Sequence, residues 1–367
     1  MTAPQPRPGI LDIKPYVPGK SGGADGDTRP VIKLSSNESA LGPSPLAVEA
    51  AKAAAETMVR YPDGGATGLR EAIGERWGLD PARIICGNGS DELLEMLPRG
   101  YAGPGDEVLY SQYGFAVYPI ATKAAGATPV TAPETDYRTD VDAMLAAVTD
   151  NTRIVFLANP NNPTGSYIPA AEVRRLRKGL RDDVLLVIDS AYAEFVSRDD
   201  YTDSAEMVHE SNNTVMTRTF SKIYSLAGLR IGWLYGPADV VDAMHRIRGP
   251  FNVNAMALAA ASAAITDEDH VIAARDHNDR WLPRLTQSLR GMGLIVHDSV
   301  VNFLLVRFPG GAEQTHAAEA FLAERRIFVR GLDPYGIADG LRINIGLDHE
   351  MEALTAALAD FTGQGHD

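Results

Sequence analysis

Short, continuously apolar runs alternate with helix-favouring segments along much of the chain. Residues 83–86 (RIIC), 107–110 (EVLY), 128–130, 153–158 (RIVFLA), 184–188 (VLLVI) and 214–217 read as strands. RIVFLA and VLLVI lack the apolar–polar alternation of a half-exposed strand, so both of their faces should be covered. Between the strands, residues 46–59, the segment opened by GNGSDE, 115–125, 140–148 and 170–180 read as helices. The first is Ala-rich and follows a Pro-Ser-Pro start. The alternation predicts an α/β fold with a mostly parallel, helix-covered sheet. Polar residues cluster just beyond the C-terminal ends of the strands, where open α/β sheets bind ligands.

After about residue 255 the texture changes. Residues 255–265 are Ala-rich, and 269–290 read as a long helix. Short strands are expected at 294–297, 302–307, 327–330 and 341–345, and a last helix at 348–361. The expected organisation is an N-terminal arm (1–30), a large domain (31–255) and a smaller α+β domain (256–367). The arm is rich in Pro and Gly, with GKSGGADGD (19–27) reading as mobile and IKPYVPG as an apolar patch able to dock.

Charge narrows the function. The chain carries 34 basic and 48 acidic residues, a formal net charge of −14, which argues against nucleic acid as a partner. A few Arg in a cleft can still attract a small anion. The single cysteine, Cys86, excludes an intrachain disulfide, and the eight His show no metal-ligand spacing. No apolar run is long enough for a membrane span, and the N-terminus lacks signal-peptide features, so a cytoplasmic location is expected.

Four segments could carry chemistry. Lys222, in RTFSKIYSLAGLRIGW, follows a strand and lies among Phe220, Ile223 and Tyr224. An amine desolvated by such neighbours loses its proton more readily and can form a Schiff base. Alone, it reads first as a surface Lys at a helix start. Ser221 and Arg230 beside it suit a phosphate. Gly87-Asn88-Gly89-Ser90-Asp91-Glu92 opens a helix whose first N–H groups could bind an anion, although Ser90 or Asp91 could simply cap it. Asn159-Pro160-Asn161-Asn162-Pro163-Thr164-Gly165 is a turn whose Asn side chains could orient a hydroxyl. Asp189 ends VLLVI, where a buried carboxylate needs a cation or hydrogen bonds, and Tyr192 lies three residues on.

An amine, an anion site, a buried acid and a hydroxyl partner are what pyridoxal phosphate requires of a protein. Through SSNESALGPSP (35–45), RYPDGG (60–65), GNGSDE (87–92), NPNNPTG (159–165), DSAY (189–192), TFSKIYSLAGLRIGW (219–233) and LRINIG (341–346), the chain resembles the fold-type-I aminotransferases, and within them the histidinol-phosphate aminotransferase family. The resemblance implies a large domain with a seven-stranded, mostly parallel sheet in a three-layer α/β/α sandwich. It also implies that Lys222 bonds the cofactor and that Asp189 pairs with its ring nitrogen. Asn162 and Tyr192 would bond the ring hydroxyl, and Tyr113 would stack on the ring. Gly89, Ser90, Asp91, Ser221 and Arg230 would hold the phosphate. Tyr61 would reach the cofactor phosphate of a partner subunit, in a homodimer with shared sites.

For substrate, the resemblance points to Asn37, Asn162, Arg330 and Arg342, with Tyr16 of the arm closing the other subunit's pocket. The implied reaction moves an amino group between histidinol phosphate and 2-oxoglutarate, giving imidazole-acetol phosphate and glutamate, in histidine biosynthesis. The chain departs from the family's frequent pattern at Ser39-Ala40 and at Ser190, where Glu is common. The rival readings are an aromatic amino-acid aminotransferase, a decarboxylase of amino-acid phosphates that uses the same cofactor, and a non-enzymatic regulator with this fold.

Overall fold

The computed structural model describes residues 4–20, 22 and 29–364. Most of the stretch read as mobile lies outside them. The large lobe is built on a seven-stranded sheet in the order Ile84–Gly87, Gly232–Tyr235, Thr214–Thr219, Leu185–Asp189, Thr152–Ala158, Glu107–Ser111 and Thr128–Ala132. Six strands run one way, and Gly232–Tyr235 is antiparallel to both neighbours. The sheet is therefore mixed but mostly parallel, between two helical layers.

The unbroken apolar strands follow from this layering. Along Thr152–Ala158, Ile154 and Phe156 enter one core with Leu93, Leu97 and Met244, while Val155 and Leu157 enter another with Val173 and Leu176. A strand with helices on both faces has no side on which a polar residue is cheap.

The small lobe is an antiparallel sheet ordered Ile295–Val296, Phe303–Arg307, Ile337–Asn344 and Arg330–Leu332. Helices Glu268–Gly291, Gly311–Glu324 and Asp348–Phe361 supply Leu285, Leu322 and Leu354 to its core. The strand expected at 341–345 runs further back, and the one expected at 327–330 is divided into Ile327–Phe328 and Arg330–Leu332.

Residues 32–34 were expected to begin the large domain. Instead, Ile32–Lys33 pairs in parallel with Ile327–Phe328, and Leu34 is buried with the small-lobe core. Arm residues touch both lobes: Lys20 pairs with Glu319 at 3.2 Å, and Lys123 donates to the Asp12 carbonyl at 3.3 Å. Among the described residues no helix is long and apolar enough to cross a membrane.

Candidate active site

The strand ends at Gly87, Ala158, Asp189 and Thr219 all open towards one side of the large sheet, and the small lobe faces them. Between the lobes lies a cavity of about 230 Å³. Lys222, Asp189, Tyr192 and Asn162 line it, with Ser221 and Arg230 at one end and Arg342 reaching in from the small lobe.

Lys222 sits in the turn after Thr214–Thr219, and its Nζ donates to the Ser36 carbonyl at 3.3 Å. Burial pushes the amine down to about 8, and the nearby Arg342 guanidinium adds to the shift. A useful fraction is therefore neutral near physiological pH, which an exposed Lys would not supply.

Asp189 is held by its neighbours rather than by a protein cation. Tyr118 donates its hydroxyl to one carboxylate oxygen at 2.8 Å, and Thr217 donates to the other at 3.4 Å. Burial dominates and raises the carboxyl to about 6, against the lowering effect of the Tyr118 bond. Tyr118 was not singled out from sequence. Its ring is fully buried and stacked on Phe156, with centroids 4.5 Å apart, so in the sequence it reads as core. Only the approach of its helix to Asp189 reveals the hydroxyl's task. Tyr118→Phe should keep the packing and remove the donor. Hydrogen bonds to charged groups contribute about 1.5–3 kcal/mol. We therefore expect a loss of roughly 10- to 100-fold in kcat, with the acidic limb of the pH–rate profile moved upward; an unchanged profile would remove Tyr118 from the site.

The helix Ser90–Tyr101 directs its first turn at the cavity, and its preceding residue, Gly89, has φ of 82°. Any side chain there would meet the Arg230 guanidinium. Arg230 donates to Ser221 Oγ at 3.2 Å and to the Asp91 carboxylate at 2.9 Å. On the adjoining strand, a Cβ at Gly232 would run into the backbone nitrogen of Ser90. Gly232 thus lets the antiparallel strand lie against the helix start. Gly232→Ala should cost about 1–3 kcal/mol by overpacking. It should also weaken cofactor phosphate binding, as read by thermal unfolding and by titration with pyridoxal phosphate.

Asn37, left-handed at φ 58°, donates from its amide to the Tyr192 hydroxyl at 2.8 Å. Arg342 spans the lobes, donating to Asn162 Oδ1 at 2.6 Å and to the Ser35 carbonyl at 2.8 Å. Two buried polar atoms here, Arg342 Nε and Asn37 Oδ1, have no protein partner. Together with the helix start, the Ser221–Arg230 pair and the depressed Lys222 amine, they fit a bound group that is both anionic and hydrogen-bonding.

Tyr113 and Arg330 lie outside this cavity, and Tyr16 and Tyr61, expected to serve a partner subunit, are seen here within one chain. Tyr113 is not in the cavity. It stacks on Tyr137 with centroids 5.1 Å apart, and Phe115, two residues on, lines the cavity instead. The chain turns between them, at Gln112 to Gly114, and spacing along the sequence does not tell which of the two rings faces inward. Tyr16 lies over its own chain's cavity and is half exposed. Arg330 is buried in a neighbouring cavity against the arm, where it donates to the Val17 carbonyl at 2.8 Å. Tyr61 is remote from the cavity, 82% exposed and stacked on Phe251 at 4.6 Å.

The sequence profile described as "Aminotransferase class I and II" matches residues 29–358. The chain belongs to this aminotransferase family. It is 58% identical over 364 residues to the histidinol-phosphate aminotransferase of Paramagnetospirillum magneticum, spanning 99% of this chain and 100% of that one. It is 55% identical over 361 residues to the enzyme of the same name from Rhodospirillum centenum, covering 98% and 99%. Among solved structures, the histidinol-phosphate aminotransferase of Sinorhizobium meliloti in complex with pyridoxal-5'-phosphate superimposes with a TM-score of 0.86 at 32% identity, over 91% of this chain and 92% of that one. The cavity between the lobes is thus the candidate active site of an aminotransferase.

Proposed function

We propose that this aminotransferase uses pyridoxal phosphate to exchange an amino group between histidinol phosphate and 2-oxoglutarate, yielding imidazole-acetol phosphate and glutamate. The observation that carries the reading is a buried Lys222 amine sharing one small cavity with the buried carboxylate of Asp189 and the anion-binding start of Ser90–Tyr101. The near full-length identity to histidinol-phosphate aminotransferases supports the choice of substrate.

When bound, the cofactor supplies an aldehyde for amine exchange and a ring that accepts electron density. The chain's residues do the rest. Lys222, with its proton affinity lowered to about 8, would hold the cofactor through its amine and, when free, would accept and return a proton as general acid–base. Asp189 keeps the ring nitrogen protonated, and Tyr118 and Thr217 hold its oxygens in place. Tyr192, oriented by Asn37, and Asn162, held by Arg342, lie where they can bond the ring hydroxyl. Ser90 and Asp91 at the helix start, with Ser221 and Arg230, would hold the phosphate, and Phe115 is the aromatic that faces the cavity where Tyr113 was expected.

Arg342 is the substrate anion's receptor in this reading, its buried Nε free of protein acceptors. Tyr16 borders the cavity, and Arg330, in the neighbouring cavity, lies over the Tyr16 ring at 6.0 Å and tethers the arm through the Val17 carbonyl. The exposed patch of Met58, Val59, Tyr61 and Phe251 suits a second copy of the chain, with Tyr61 reaching the other copy's phosphate site. A homodimer is part of the proposal.

The test is cofactor-conversion spectroscopy with a panel of amines. Histidinol phosphate should convert the bound cofactor faster than phenylalanine or tyrosine, and 2-oxoglutarate should restore it. Preference for the aromatic amino acids would establish the first rival. Carbon dioxide release without dependence on 2-oxoglutarate would establish the decarboxylase.

A further inference from the structure

A buried ion cluster lies beneath the active-site loops, and the steps above do not use it. Arg218 stands four residues before Lys222, in the strand Thr214–Thr219, and is 3% exposed. Alternation along the strand sends its side chain to the face opposite Thr217, the residue that touches Asp189. There the guanidinium lies over the Trp77 ring at 4.4 Å and near Trp233 at 5.6 Å. It is 3.0 Å from Glu194 Oε1 and 3.4 Å from Asp203 Oδ2. Glu194 lies in the turn Ala193–Phe195, two residues beyond Tyr192. Between Glu194 and Asp203 the chain passes through Tyr201, whose hydroxyl donates to the Asn159 carbonyl at 3.0 Å.

We propose that Arg218 is a positioning residue that ties three active-site loops to one point: its own loop carrying Ser221 and Lys222, the Asp189–Tyr192 loop through Glu194, and the Asn159–Gly165 loop through the Asp203–Tyr201 segment. The guanidinium suits this task, because it packs its face on an indole, donates to Asp203 at 3.4 Å and sets its charge against the buried Glu194 carboxylate at 3.0 Å. For stability alone a buried ion pair is a poor choice, since well-packed apolar residues of similar volume commonly do as well. Placing one beneath Lys222 and Asp189 has a use if those two must keep a fixed separation. Misplacement of about 1 Å can cost about 100-fold in rate.

The inference rests on reading Lys222 and Asp189 as the reactive pair, and the experiment separates the two. Pyridoxal phosphate is titrated into wild type, Arg218→Lys, and the neutral double variant Arg218→Met/Glu194→Met. Each is followed by the absorbance of the Lys222 adduct against pH, by cofactor affinity, and by kcat and KM. The double variant removes the buried Glu194 charge together with its partner and leaves only the partly exposed Asp203, and Arg218→Lys keeps the charge while losing the planar fork. We expect folded variants with a displaced pH midpoint and a kcat lowered by up to about 100-fold, with KM changed much less. A midpoint and kcat equal to wild type in either folded variant would overturn the positioning role and leave the active-site reading standing. Absence of any adduct in wild type would overturn the active-site reading itself.

Discussion

Lys222→Ala should abolish turnover while leaving the protein folded. The amine has two jobs in the proposed reaction, bonding the cofactor and moving the proton, and general acid–base catalysis alone contributes up to about 10,000-fold. A loss of at least that size is expected in kcat/KM. The stability effect has the opposite sign. Burial lowers the amine from 10.5 to about 8, so the folded state releases this proton more readily than the unfolded state. Below about pH 8 wild type carries the full cost of a buried cation, and the cost disappears as pH rises towards 10.5. Lys222→Ala without cofactor should therefore be at least as stable as wild type at pH 7, with the gap closing at alkaline pH in urea denaturation. Retained turnover would refute the mechanism.

Asp189→Asn should produce the second largest effect. The substitution keeps the size and one acceptor oxygen, turns the other acceptor into an amide donor, and removes the charge that would hold a proton on the cofactor ring. Removing one preorganised electrostatic group from an active site costs about 100- to 1,000-fold in kcat, and that range is expected here. The cofactor-free protein again responds in the opposite sense. Burial raises this carboxyl from 3.8 to about 6, so the folded state holds the proton more tightly than the unfolded state. Wild type then loses stability as pH rises from about 4 to about 6 and keeps the full penalty above that. Asp189→Asn should be the more stable protein at pH 7, with the difference shrinking towards pH 4. Equal kcat in the two proteins would remove Asp189 from the chemistry.

Much of this architecture was legible in the residues, for particular reasons. RIVFLA and VLLVI announced strands covered on both faces, and they lie side by side near the middle of the large sheet. The long helix read at 269–290 is found at Glu268–Gly291, and the last helix at Asp348–Phe361. The helices Thr67–Trp77, Ala238–Ile247 and Gly311–Glu324 were not foreseen, nor was the strand Gly232–Tyr235. That strand is short and lies within a segment already read for its chemistry. Its antiparallel direction comes from the connection made by the Lys222 loop, which periodicity does not register.

The site followed the same division. Lys222, Asp189 and Arg230 stand out because charged groups at the ends of apolar strands are conspicuous. Phe115, Tyr118 and Arg218 do not. Phe115 and Tyr118 look like ordinary core aromatics, and Arg218 looks like an ordinary surface cation until its burial is known. Their parts depend on which way one side chain points and which helix comes near which strand. Those are properties of tertiary packing, and local sequence carries little of them.

The pairing of Ile32–Lys33 with Ile327–Phe328 bears on how the chain comes off the ribosome. Leu34 is made long before Leu341, Ile343 and Leu354, which complete the core that receives it. Such distant pairing slows folding and leaves apolar surface waiting. The large lobe can gather around its sheet during synthesis, whereas the small lobe must await the helix Asp348–Phe361. Premature termination anywhere before the last helix should therefore yield a chain with Leu34 unhoused and a strong tendency to aggregate.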